Sequence, residues 1–171
     1  MSDAQEPEDY DVHSHLRAFA RAISEGQLGL ALCRPQSWAQ PTRCFENARR
    51  QAEQQGGHAL LGWMFHYRVV AGISRSGYLI AVHHAVWHAP IGQLVDVTPF
   101  HEDPKHRPIA PSGDVLFLVD SQAQPMMVGQ MIRPRPSRFY AIDPDERLAA
   151  HVRSLQQEEQ EACGRLYRTE G

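Results

Sequence analysis

Lysine is almost missing from this chain: among seventeen basic residues Lys105 is the one lysine, and the rest are arginine. No excess of positive charge accompanies that bias. The basic residues face twenty acidic ones, for a net charge of −3, which excludes the electrostatic footprint of a nucleic-acid binder. Cysteine is limited to Cys33, Cys44 and Cys163, an odd number at irregular spacing. That pattern makes neither a disulfide framework nor a zinc signature, and it points to a reduced, cytoplasmic compartment. Long apolar runs are missing too, since Ala59 to Phe65 falls far short of the ~20 residues a spanning helix needs. The start of the chain has no basic-then-apolar targeting pattern, and there are no internal repeats or low-complexity tracts. No cofactor and no resident metal are expected.

What is present is the composition of an ordinary globular domain. The chain has 171 residues, 42% hydrophobic and 22% charged, enough to bury ~70% of its unfolded surface. Residues 1–12 are acidic (Asp3, Glu6, Glu8, Asp9, Asp11) and read as a disordered leader. Residues 13–143 read as one catalytic-type domain, and 144–171 as a C-terminal surface helix able to face a protein partner. Leader and terminal helix are expected to be dispensable for the core.

The organising stretch is Thr42 to Gly57. Thr42 is a good N-cap, which places Arg43 and Cys44 at the first two helical positions. Cys44, Phe45, Ala48 and Ala52 share one face, and Gly56-Gly57 stops the helix. A thiol at a helix N-terminus feels the positive end of the dipole, which favours its thiolate. Before it, a helix spans about His13 to Glu25, with Leu16, Phe19, Ala20 and Ile23 inward. His13 and His15 read as a solvated helix start rather than a metal pair. Gly29 to Pro41 reads as an irregular segment in which Gln40, or Gln36, could stabilise an oxyanion. After the helix, strands are expected at Ala59–Ala71 (Trp63, Phe65 and Tyr67 on one side), Tyr78–His88, Gln93–Phe100, Asp114–Asp120 and Pro125–Ile132. The fold class is therefore α+β, a nucleophile-bearing helix on an antiparallel sheet.

Cys44, then His83 or His84, then Asp96, follow in that order. A thiolate attacks a carbonyl carbon, an imidazole moves the proton, and an acid fixes the imidazole tautomer. Asp96 lies in the apolar run Leu94-Val95-Asp96-Val97 and needs a partner there. If the turn after His88 holds an odd number of residues, His84 lies on the face of Asp96; an even number selects His83. Spacing leaves both open.

Cys44-Phe45-Glu46-Asn47, His84-Ala85-Val86 and Val95-Asp96-Val97-Thr98-Pro99-Phe100 resemble the papain- and transglutaminase-like cysteine hydrolases. The closest likeness is to the protein N-terminal glutamine amidohydrolases, and it covers roughly residues 42–100. Gly62-Trp63 and His84-Ala85-Val86-Trp87 are also similar to short bacterial proteins of unassigned function. The resemblance implies Cys44 as nucleophile, His84 as base and Asp96 as orienter. It implies a deamidase that attacks a glutamine- or asparagine-type carboxamide of a peptide or protein through a thioester. The segment between helix and His strand is shorter than in that family, and the Gln40-to-Cys44 spacing is not that of papain.

Other readings compete with this one. Cys44 could be a small core residue under Phe45. His88, His101 and His106 could hold a metal, although His84 and His88 alone stand ~13 Å apart on a strand. Glu46 and Asn47 read as helix surface, Trp63 and Trp87 as core, and Cys33 and Cys163 as non-catalytic. For the whole chain, the alternatives are a transferase, in which an amine resolves the thioester, or a non-catalytic binding module of the same fold.

Overall fold

The computed structural model describes residues 12–73, 76–100 and 114–168. The acidic leader up to Asp11, and the loop carrying His101 and His106, lie outside them. The elements in chain order are α1 (Val12–Ile23), β1 (Leu28–Cys33), α2 (Cys44–Gln55), β2 (His58–Arg68), β3 (Tyr78–His88), β4 (Leu94–Asp96), β5 (Val115–Val119), β6 (Met126–Val128), β7 (Met131–Arg133), β8 (Arg138–Ala141) and α3 (Glu146–Arg168). Mixed helix and sheet is the α+β class.

Strands β2, β5, β1, β4 and β3 are hydrogen-bonded in that order, and β3 returns to β2, so the five close into a barrel. Strand β8 extends the sheet beyond β3, and β6 and β7 form a separate hairpin. The long pair β2–β3 runs from His58↔His88 to Arg68↔Tyr78. Side chains alternate across it. Trp63, Phe65, Leu79 and Ala81 point to one face, where Leu16, Phe19 and Ala20 of α1 cover them. On the other face Met64 and Val86 meet Ala31, Val115 and Phe117 and fill the barrel. Helix α2 lies against the first face further along, with Cys44, Phe45 and Ala48 on Ala85. Gly62 is required where β2 crosses β5, since a Cβ there would lie 1.9 Å from the Leu118 carbonyl oxygen.

Several elements differ from the sequence reading. The start of the supposed irregular segment is β1, a barrel strand whose apolar run Leu28–Cys33 pairs with both β5 and β4. Its pairing with β4 is parallel, so the sheet is mixed rather than antiparallel. The third strand is only Leu94–Asp96, because beyond Asp96 the backbone turns to other partners: Gln36 N–H donates to the Val97 carbonyl at 3.0 Å. The expected fifth strand is the β6–β7 hairpin, turned through Gly129 at φ 58°. Among the described residues no helix is long and apolar enough to cross a membrane.

Helix α3 is more than a surface helix. Leu148 is fully buried and Val152 nearly so, in a cluster with Tyr78. The Glu159 carboxylate accepts from Ser137 N–H at 2.9 Å, and the Gln156 carboxamide both accepts from Phe139 N–H and donates to the Ser137 carbonyl. These side chains cover the edge that β8 would otherwise leave open to another strand. The sparse apolar pattern hid this, because half of the docking is polar. Leu148→Ala is expected to cost ~2–5 kcal/mol in urea unfolding. A chain ending at Pro144 should lose its cooperative transition, reversing the expectation from composition.

Candidate active site

Cys44 is the first residue of α2. The residue flanking the helix is Arg43 rather than Thr42, and no side chain caps that end. Thr42 instead sits at φ 66°, the one non-glycine residue with positive φ among those described. A β-branched residue is strained there, and such strain persists only where surrounding contacts impose it. Asn47, one turn into the helix, braces the chain two residues before Thr42. Its carboxamide donates to the Gln40 carbonyl at 2.8 Å and accepts from Gln40 N–H at 3.3 Å. The same Nδ2 group donates to the Thr98 hydroxyl at 3.2 Å. Asn47 is buried, not helix surface as its sequence position suggested. The signal lay in its spacing: three residues after Cys44, it is on the face that Cys44 and Ala48 turn inward.

The hairpin register decides between the histidines. His88 pairs with Leu94, which leaves residues 89 to 93, an odd number, in the turn. The turn is closed by Ala89 N–H donating to the Gln93 carbonyl at 2.9 Å. His84 is therefore on the face of Asp96, and its Nε2 lies 2.9 Å from Asp96 Oδ2. Asp96 Oδ1 accepts from Thr98 N–H at 3.0 Å. The Cys44 sulfur lies near the same imidazole and interacts with it electrostatically. Cys44, His84, Asp96, Asn47 and Thr98 are each less than one-tenth exposed, so the polar chain is screened from water over its length. Burial works against a charged His84, but the Asp96 carboxylate and the Cys44 sulfur outweigh it and hold the ring's pKa well above its ordinary value.

His83 points the other way and has a different chemistry. Arg135 N–H donates to its Nδ1 at 2.9 Å, so Nδ1 is the acceptor and Nε2 carries the proton to the Ala123 carbonyl at 2.6 Å. Its ring packs between Phe45 and Trp63. Burial pushes its pKa down to about 4, and the nearby Arg135 and His84 add to the drop. With both nitrogens engaged, His83 is a neutral packing group.

Gln40 is exposed, and among the described residues its own carboxamide has no hydrogen bond, while Asn47 clamps its backbone. Gln36 donates its carboxamide to the Arg34 carbonyl at 3.0 Å. Cys33 lies on β1 opposite Asp96; burial first, then the Asp96 and Asp114 carboxylates, raise its thiol to about 11. Burial and Glu159 raise Cys163 also. His15 contacts the Tyr140 hydroxyl at 3.2 Å. Trp63 is core, and Trp87 ties the end of β3 to the Gly56 carbonyl at 2.8 Å. Among the described residues no three His, Cys, Asp or Glu side chains gather into a group that could hold a metal.

Comparison with protein-family models, with curated proteins and with solved structures finds no match to this chain.

The two adjacent histidines should shape stability in separate pH windows. Both titrate near pH 6.5 when unfolded. Between pH 6.5 and 4 the unfolded chain protonates His83 and the folded one does not, so acidification through that window destabilises the fold, on the order of 3 kcal/mol. Folded His84 keeps its proton above pH 6.5. Its contribution is complete below that pH and is lost as pH rises through the folded value. Urea unfolding across pH 4 to 9 checks both: His83→Gln should flatten the acid limb, and His84→Gln the alkaline one.

Proposed function

We propose that the chain is a cysteine amidohydrolase of the papain/transglutaminase type, nearest in its motifs to the protein N-terminal glutamine amidohydrolases. Its substrate is a glutamine- or asparagine-type carboxamide on a peptide or protein in a reducing cytoplasm. The observation that carries this reading is the buried sequence of contacts from the Cys44 thiol through His84 to Asp96. A thiol that only packed a core would need no such partner.

In the proposed cycle His84 already holds the proton drawn from Cys44, and the sulfur attacks the carboxamide carbon. The C–O π electrons move to oxygen, where the Cys44 N–H, which has no acceptor within its own helix, and the Gln40 carboxamide hold the charge. The intermediate collapses and the C–N bond breaks. The His84 proton goes to nitrogen, releasing ammonia and leaving a thioester. Water then attacks the thioester carbon while His84 takes its proton. That proton returns to the departing sulfur, giving a carboxylic acid and free Cys44. The raised proton affinity of His84 supports its role as the acid that serves the leaving ammonia. Asp96 keeps the ring's other nitrogen occupied, so one nitrogen faces sulfur throughout.

The test is ammonia release from peptides with N-terminal or internal glutamine or asparagine. Wild type should release ammonia from at least one, Cys44→Ala from none, and Asp96→Ala should be slower by roughly 10²–10⁴. Gln40→Ala should lower kcat more than it changes KM, because its donor acts on charge that develops during the reaction. Ammonia release that survives Cys44→Ala would overturn the mechanism. Silence from wild type across the panel, with slow alkylation of Cys44, would favour a binding module instead.

A further inference from the structure

A concave site lies on the side of the barrel where α1 and β5 both end. It is a cleft of about 520 Å³ between the turn at Ser24 to Gly26 and the turn at Asp120 to Ala123, with Trp63 at its base. Two guanidinium groups line it, Arg135 and Arg138. Arg138 lies over the Trp63 ring, 5.0 Å from its centroid, and its guanidinium makes no hydrogen bond or ion pair among the described residues. Arg135 commits only its Nε, to the Gln124 carbonyl at 2.6 Å, which leaves both terminal nitrogens uncommitted. Asp120 also lines the cleft, and its hydrogen-bond donors are neutral groups rather than either arginine. Asp120 Oδ2 accepts from the Trp63 indole at 2.9 Å, and Oδ1 from Gln122 N–H at 3.2 Å. Glu25, also in the lining, forms no ion pair with either arginine.

The walls of this cleft hold His83. Ala123 supplies the carbonyl that His83 Nε2 bonds, and Arg135 supplies the N–H that bonds Nδ1. The ring is packed between Trp63, the cleft's base, and Phe45, the neighbour of Cys44. His83 is itself the residue before His84. An occupant pulling on Arg135 therefore acts on a ring one residue from the candidate base and one ring contact from the nucleophile helix.

We infer that this cleft binds a small ligand carrying a carboxylate or phosphate oxyanion, held by Arg135 and Arg138, and that its binding is transmitted through His83 to the Cys44 site. The planar fork of a guanidinium matches both oxyanions, and two forks beside an aromatic floor suit a compact ligand with a short apolar part. The inference does not depend on a carboxamide being the substrate, because the test below involves no turnover.

The probes are succinate and inorganic phosphate, titrated into the full chain at constant ionic strength and followed by calorimetry and thermal unfolding. The rate of Cys44 alkylation by iodoacetamide is measured in parallel. At least one probe should bind saturably and raise Tm, and the same probe should change the alkylation rate about two-fold or more. Arg138→Gln and Arg135→Gln should each weaken that binding about tenfold, the loss of one charge-assisted contact. The Arg135→Gln substitution leaves the backbone N–H to His83 in place, so a folded variant is expected. Saturation by succinate alone assigns a carboxylate ligand, and by phosphate alone a phosphorylated one. If neither probe saturates, or if both variants bind as wild type does, the site is overturned. Binding that leaves Cys44 alkylation unchanged overturns the link to the thiol.

Discussion

The contact on which the rest of the site depends is the pair between His84 and Asp96, 2.9 Å apart and closed off from water. A carboxylate in such a place is costly unless it is hydrogen-bonded. Here each oxygen has a partner, His84 on Oδ2 and Thr98 N–H on Oδ1, and Asn47 in turn donates to the Thr98 hydroxyl. The backbone of Asp96 is tied as well, its carbonyl accepting from Arg34 N–H at 2.9 Å. The short length of β4 follows from this. A strand that continued along β3 would give its N–H and C=O groups to the ladder, and the Thr98 N–H would not reach the carboxylate.

Asn47 links two halves of the site that are far apart in sequence. On one side it fixes the Gln40 backbone, and with it the turn that sets Thr42 at positive φ and delivers Cys44 to the helix start. On the other it reaches Thr98 and so the acid. The helix needs no side-chain cap because this internal brace orients its first turn.

His83 and His84 show how far environment outranks residue type. They are consecutive, and both are almost fully buried. One faces a backbone carbonyl and an N–H and is held neutral, its pKa down to about 4; the other faces a carboxylate and a thiol and is held toward the charged form. Strand alternation alone creates the difference, since successive side chains leave on opposite faces. The same alternation puts one histidine beside the candidate nucleophile and the other behind the arginine-lined cleft.

From its sequence alone, this chain could be read as one mixed domain, with a helix carrying Cys44 in its first turn and apolar strands around Trp63, His84, Asp96 and Phe117. Hydrophobic periodicity and the glycine stop are local, and local signals survive in a linear reading. The contributions of Leu28–Cys33 and of α3 were hidden, because their role depends on partners distant in the chain. The parallel neighbour of β1 is β4, more than sixty residues on, and α3 docks partly through Gln156 and Glu159 on a strand edge. The choice between two adjacent histidines, the partners of buried Asn47 and the strain at Thr42 were decided only by tertiary structure. Each depends on a hydrogen bond across the fold, and a hydrogen bond is a matter of distance and angle that residue order does not contain.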